Sequence, residues 1–67
     1  MPKYMVLYKH GTIGNPLESA GGTGGPMGET NNGILAVYIV PDSEVERFEA
    51  AAKQCAAVVE LQRLEVT

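Results

Sequence analysis

The residues in this chain that could do chemistry are few, and the first is its only histidine, His10. It lies where an apolar segment meets a Gly-rich stretch, a junction at which functional residues often occur. As a general base, His10 would need a carboxylate to orient its ring. Asp42 is the only aspartate, and Glu18 and Glu29 are the alternatives within the Gly-rich stretch. The simpler interpretation, a solvated histidine at the edge of a loop, is favoured.

Pro2 is the second candidate, because removal of Met1 would leave it as a free N-terminal proline. Small tautomerases of similar length use such a proline as a base at the start of their first strand. Those chains place a helix directly after that strand, whereas here a Gly-rich stretch follows. Pro2 therefore stays an alternative catalytic residue.

The Gly-rich stretch, residues 10–32, holds seven of the chain's eight glycines together with Pro16 and Pro26, and it predicts a long loop. Its run at 21–25 could present backbone N–H groups to an anion. A phosphate-binding loop would need a lysine and a following helix, and neither is present. A flexible loop or cover for an interface is therefore favoured over a phosphate site. The candidate ligand-binding residues are Tyr8, Gly22, Thr23 and Gly24.

Composition limits the function classes. The single cysteine, Cys55, excludes an internal disulfide and a multi-cysteine zinc site, which favours a reducing compartment, the cytoplasm. No spacing of metal-ligating residues predicts a metal, and no cofactor is expected. Eight acidic against five basic residues give a net charge of −3 without a basic cluster, so nucleic acid is set aside. No signal peptide or apolar run of membrane-spanning length is found, so we expect a soluble protein.

Hydrophobic patterning predicts the elements that position these residues. Two segments, 3–9 and 33–40, are predicted strands, in which successive side chains point to opposite faces. In both segments each of the two faces carries apolar side chains, which is typical of strands that are covered on both faces. After Pro41, apolar residues recur at three- and four-residue steps, which predicts a helix. Ser43 with Glu46 fits a capping box, and Asp42 competes as the N-cap. The predicted order within one domain, 1–67, is strand 3–9, loop 10–32, strand 33–40, helix 43–58 and strand 60–66.

The number of sheet faces predicts association. A strand–helix–strand unit is almost always a right-handed crossover with parallel strands, and the first strand would lie antiparallel beside one of them or between them. A single helix can cover only one face of that sheet, although strands 3–9 and 33–40 are apolar on both. We therefore expect a second copy of the chain to cover the other face, in a homodimer or higher oligomer.

Three pieces of the chain are similar to one known family. The opening residues 2–8, the Gly25-Pro26 turn before 33–38, and the helix start at Asp42 with residues 59–61 resemble the YCII-related family of dimeric α+β barrels, whose fold is ferredoxin-like. That family has a helix where this chain has residues 10–32, and one further strand is unaccounted for. The resemblance implies a shortened relative that depends more on its partner chain. A His–Asp pair is suggested as catalytic in the family, but only His10 exists here and no aspartate maps to the second role.

The predicted fold is α+β, a ferredoxin-like half in which one helix and a partner subunit pack on the sheet. The predicted function is binding or assembly without catalysis, in an oligomer that encloses space for a small-molecule ligand near a subunit cleft under the Gly-rich loop. The alternative is a cofactor-free enzyme, YCII-like or tautomerase-like, that uses His10 or Pro2.

Overall fold

The structure is a computed structural model, and it describes residues 2–64 of the chain. Within that range the chain forms four strands, one 3₁₀ turn and one α-helix. The strands are β1 (Lys3–Tyr8), β2 (Thr23–Thr30), β3 (Gly33–Ile39) and β4 (Val58–Leu64), and the 3₁₀ turn Asp42–Glu44 leads into helix α1 (Val45–Gln54). None of the helical residues in the described range forms a helix long and apolar enough to cross a membrane.

The four strands form one sheet in the order β2-β3-β1-β4, and each neighbouring pair is antiparallel. β1 lies between β3 and β4, which therefore run parallel to each other on either side of it. This confirms the antiparallel placement of the first strand, between the two strands that the helix connects.

The predicted fold class is wrong, because the sheet has four strands rather than three and carries one short helix of ten residues. This element order is not that of a ferredoxin-like half. The error comes from the Gly-rich stretch, where Thr23–Thr30 forms an edge strand paired with β3 instead of a loop. An edge strand has one ladder partner and can leave its side chains in water, so it needs no apolar alternation.

Turn residues explain why this Gly-rich segment can pair. β2 and β3 are joined at residues 31–32, where the Thr30 hydroxyl accepts from the Asn32 N–H at 3.1 Å and donates to the Gly33 carbonyl at 2.9 Å. Near the other end of β2, Gly24 has a φ of +132°, and a Cβ there would lie 2.2 Å from the Val37 carbonyl oxygen. Only glycine allows that conformation and that approach between the two strands.

Both ends of the helix differ from the predicted range 43–58. At the N-terminus, neither the capping box nor an Asp42 cap forms; instead the Glu44 N–H donates to the Pro41 carbonyl at 2.8 Å within the 3₁₀ turn. At the C-terminus the chain leaves the helix at Cys55, which has an extended conformation. The Val58 N–H then donates to the Cys55 carbonyl at 3.1 Å, so a turn precedes β4.

The last strand also begins earlier than predicted, at Val58 instead of residue 60. Its predicted end at 65–66 lies outside the described residues.

The core lies between α1 and one face of the sheet. The Phe48 ring of α1 packs against the rings of Tyr4 and Tyr38, with centroids 5.0 and 5.3 Å apart. Leu17 and Ala20, from the turns between β1 and β2, are also buried in this layer. The complete set of buried apolar residues is Tyr4, Val6, Tyr8, Leu17, Ala20, Ala36, Tyr38, Val40, Phe48 and Ala52.

Candidate functional site

The most prominent surface feature is the sheet face opposite α1, which we call the open face. Strand alternation and register place nine side chains of three strands on it, in three rows across the sheet. The first row is Ile39, Lys3 and Leu64, the second is Val37, Met5 and Gln62, and the third is Leu35, Leu7 and Glu60. Six of these nine side chains are apolar.

Burial differs sharply between the two faces of the sheet. Along β1, Tyr4, Val6 and Tyr8 face the core and are at most 1% exposed, whereas the alternate positions Met5 and Leu7 are only partly buried. On the open face of β3, Ile39 is 40% exposed. No helix or loop within residues 2–64 therefore covers the open face as α1 covers the other.

The open face is a small patch that is only partly apolar. Strands about 4.8 Å apart, with a rise of about 3.4 Å per residue, give the three rows an area of roughly 300 Å² in projection. The largest apolar patch on a typical monomer is about 300–600 Å² and is often functional. Because six of the nine side chains are apolar, the apolar share of the open face is about 200 Å², which is smaller than this range but forms one continuous surface.

A chain of hydrogen bonds runs through the core behind this sheet. The Asn15 side-chain carbonyl accepts from the Tyr38 hydroxyl at 2.5 Å, so the Tyr38 oxygen is left to accept from the Tyr8 hydroxyl, also at 2.5 Å. The Asn15 amide in turn donates to the Gly24 carbonyl at 2.9 Å. This series of hydrogen bonds links β1 and β3 to the turns before β2 and to β2 itself.

Both phenols of this chain are held in the neutral form. Burial raises the pKa of Tyr8 far above its ordinary value, and its hydrogen bond to Tyr38 raises it further. Burial also raises the pKa of Tyr38, although the hydrogen bond from Tyr8 acts in the opposite direction. Tyr8 is fully buried with its hydroxyl engaged, so the structure places this candidate ligand-binding residue in the core and not on a surface.

The glycine candidates also have structural roles. A Cβ on Gly22 would lie 3.1 Å from a methyl group of Val40 and 3.4 Å from the Phe48 ring, so this residue packs on the core. Thr23 and Gly24 begin β2 and pair with β3. Their backbone therefore belongs to the sheet, which removes the basis for an anion-binding loop at these positions.

His10 joins the end of β1 to the turn between β2 and β3. Its Nδ1 lies 2.7 Å from a carboxylate oxygen of Glu29, and its Nε2 lies 3.1 Å from the Asn31 carbonyl oxygen. Both partners are acceptors, so only the protonated ring can donate to both. The hydrogen bond to Glu29, followed by that to Asn31, raises the pKa of His10. Neither nitrogen is left to accept a proton from a substrate, which is the task of a general base.

The other two catalytic candidates lie at the opposite end of β1. The Pro2 carbonyl accepts from the Val40 N–H at 2.9 Å, and exposed Asp42 follows shortly after in the 3₁₀ turn. Six residues of β1 separate that end from His10, about 20 Å along the strand. The structure therefore joins His10 to Glu29, one of the alternative carboxylates, and not to Asp42 or Pro2.

Further polar contacts lie at the edge of the core. The Tyr4 hydroxyl donates to a carboxylate oxygen of Glu49, and the Arg63 guanidinium lies 6.0 Å from the centroid of the Tyr4 ring. Burial, and then the hydrogen bond to Glu49, raise the pKa of Tyr4 to about 12. Cys55 is a half-buried free thiol that packs against the core. In the described part of the chain, no three His, Cys, Asp or Glu side chains group to hold a metal ion.

No protein-family model, curated protein or solved structure that was compared with this chain matches it. The resemblance to the YCII-related family stays a prediction, and no activity comes to this chain from a relative. Among residues 2–64, the open face remains the most prominent surface feature. Sequence patterning indicated the apolar residues of that face, but it missed Asn15 as the partner of Tyr38, since no local signal links these two positions.

Proposed function

We propose that this protein is a small assembly module without catalytic activity, which forms a homo-oligomer through its open face. The observation that carries the proposal is the row structure of that face, in which Ile39 is exposed and the other five apolar side chains are only half-buried, beside a fully packed core. A second copy offers a surface of the same size and character. Such self-complementary contacts are the usual basis of two-fold dimers.

The area of the open face determines how strong the association between two copies should be. Two projected faces of roughly 300 Å² each lie below the area that stable complexes bury, so the association is expected to be weak and dependent on concentration. The unpaired Cys55 suits a reducing compartment and supports a cytoplasmic location. A ligand space under a Gly-rich lid is not part of the proposal, because Thr23–Thr30 is paired with β3.

Catalysis by His10 is the less favoured alternative. Both ring nitrogens face acceptors, and the side chain is half exposed at 53%. These contacts favour a structural role in which His10 holds the β2–β3 turn against the end of β1.

Paired substitutions of two valines test the proposal. Val37→Lys places a charge in the middle row of the open face, whereas Val59→Lys makes the same change at a strand position that is 56% exposed and outside the three rows. Sedimentation velocity over about a hundredfold range of concentration should show dissociation of Val37→Lys only. Circular dichroism should show that both variants keep the fold, because a lysine in an uncovered sheet face can extend into water.

Equal weakening by both substitutions would contradict a role for the open face. A protein that stays monomeric over the whole series would contradict the assembly itself.

A further inference from the structure

Two opposite charges lie at opposite ends of the open face. Lys3 is in the first row, at the start of β1, and Glu60 is in the third row, on β4 beside Leu7. Neither forms an ion pair with another of the described residues. The apolar side chains lie around and between them, so any surface that covers the face must also accommodate a positive and a negative group at defined positions.

A two-fold axis that lies between two open faces and keeps the strands of both copies aligned runs either along the strands or across them. If the axis runs along β1, each row lies over the same row of the partner, which brings Lys3 near Lys3 of the partner subunit. If the axis runs across the strands, the first row lies over the partner's third row. Lys3 then lies over the partner's Leu7, one strand away from the partner's Glu60.

The second orientation also brings the side chain of Lys3 within reach of Glu60 of the partner subunit. Packed sheets lie about 10 Å apart and neighbouring strands about 4.8 Å apart, which places the two backbone positions about 11 Å from each other. Lysine and glutamate side chains that extend toward each other span most of that separation. Both orientations keep the strand directions of the two sheets roughly aligned, as packed sheets do, so the charges decide between them.

We infer that two copies pack open face to open face about a two-fold axis that runs across the strands, with Lys3 of each subunit paired to Glu60 of the other. The middle row then meets itself, so Met5 and Val37 lie against Met5 and Val37 of the partner subunit. This inference rests on the proposed assembly through the open face. It adds the orientation of the partner and the two charge pairs that select it, since the other axis places like charges together.

Charge reversal with rescue tests the orientation. Lys3→Glu and Glu60→Lys should each raise the dimer dissociation constant about tenfold, because two attractive pairs become repulsive. The double variant Lys3→Glu/Glu60→Lys restores both pairs and should return to within about threefold of the unmodified protein. Lys3→Gln, which removes the charge without reversing it, should lie between.

Lys53→Glu is the matched control, because it makes the same charge change at an exposed position of α1 and should leave the dissociation constant unchanged. Circular dichroism of each variant checks the fold. A dimer that ignores both single reversals, or that the double variant fails to restore, would overturn the orientation while the assembly stands. An unmodified protein that is monomeric throughout would overturn both.

Discussion

The hydrogen bond between the Tyr8 and Tyr38 hydroxyls allows a quantitative test of the core. Each of Tyr8→Phe and Tyr38→Phe breaks this bond and leaves the other hydroxyl buried without that partner, while the rings keep their packing. Tyr38→Phe also removes the donor to Asn15. With about 1 kcal/mol for each lost bond and about 1–3 kcal/mol for a stranded group, Tyr38→Phe should lower the free energy of unfolding by roughly 2–3 kcal/mol. Tyr8→Phe should lower it by only about 1 kcal/mol, because the Tyr38 hydroxyl keeps its hydrogen bond to Asn15.

The double variant separates this bond from everything else. Because the shared bond can be lost only once, Tyr8→Phe/Tyr38→Phe should cost less than the sum of the two single changes by at least about 1 kcal/mol. Urea unfolding at one fixed protein concentration measures all four proteins. Tyr4→Phe combined with Tyr38→Phe is the control, since Tyr4 donates to Glu49 and shares no hydrogen bond with Tyr38. Additive costs in the Tyr8 and Tyr38 pair would refute the hydrogen-bond chain.

Two further predictions concern the β2–β3 hairpin. The raised pKa of His10 means that its contribution to folding is complete below its ordinary value of 6.5 and declines as the pH rises through the higher folded value. The urea midpoint should therefore fall as the pH rises above about 6.5. It should fall less in Glu29→Gln, in which NMR titration should show the His10 pKa moving back toward 6.5. An unchanged His10 pKa in this variant would contradict the contact with Glu29. Gly24→Ala should destabilise the protein by about 1–3 kcal/mol because of its positive φ and the close Val37 carbonyl, whereas Gly28→Ala, with open space around its Cβ, should be nearly neutral; equal melting temperatures would contradict this.

Sequence patterning predicted those parts of the fold that bury side chains. β1 and β3 carry apolar side chains on both of their faces. Because the one helix can cover a single face of the sheet, this pattern predicts that the other face is left uncovered. The helix was predicted too long because Cys55, Ala56 and Ala57 continue the apolar and helix-favouring pattern, although the chain turns there to begin β4. Helix propensity is a weak preference that tertiary pairing of β4 with β1 overrides.

β2 could not be predicted from its own residues. Thr23–Thr30 contains three glycines and a proline, and the strand is specified by the backbone of β3 rather than by buried side chains. The Asn32-Gly33 pair favours a tight turn, but the residues before it lack the apolar alternation of a strand, so this pair alone does not predict the hairpin. For the candidate site, the sequence indicated Glu29 as an alternative partner of His10, but no local pattern reports that both ring nitrogens face acceptors.

Assembly through the open face is the central claim, and the molar mass of the unmodified protein in solution tests it most directly. Light scattering over a concentration series should show a mass that rises from the 7.1 kDa of one chain toward twice that value. A mass that stays at 7.1 kDa at every concentration would contradict the claim.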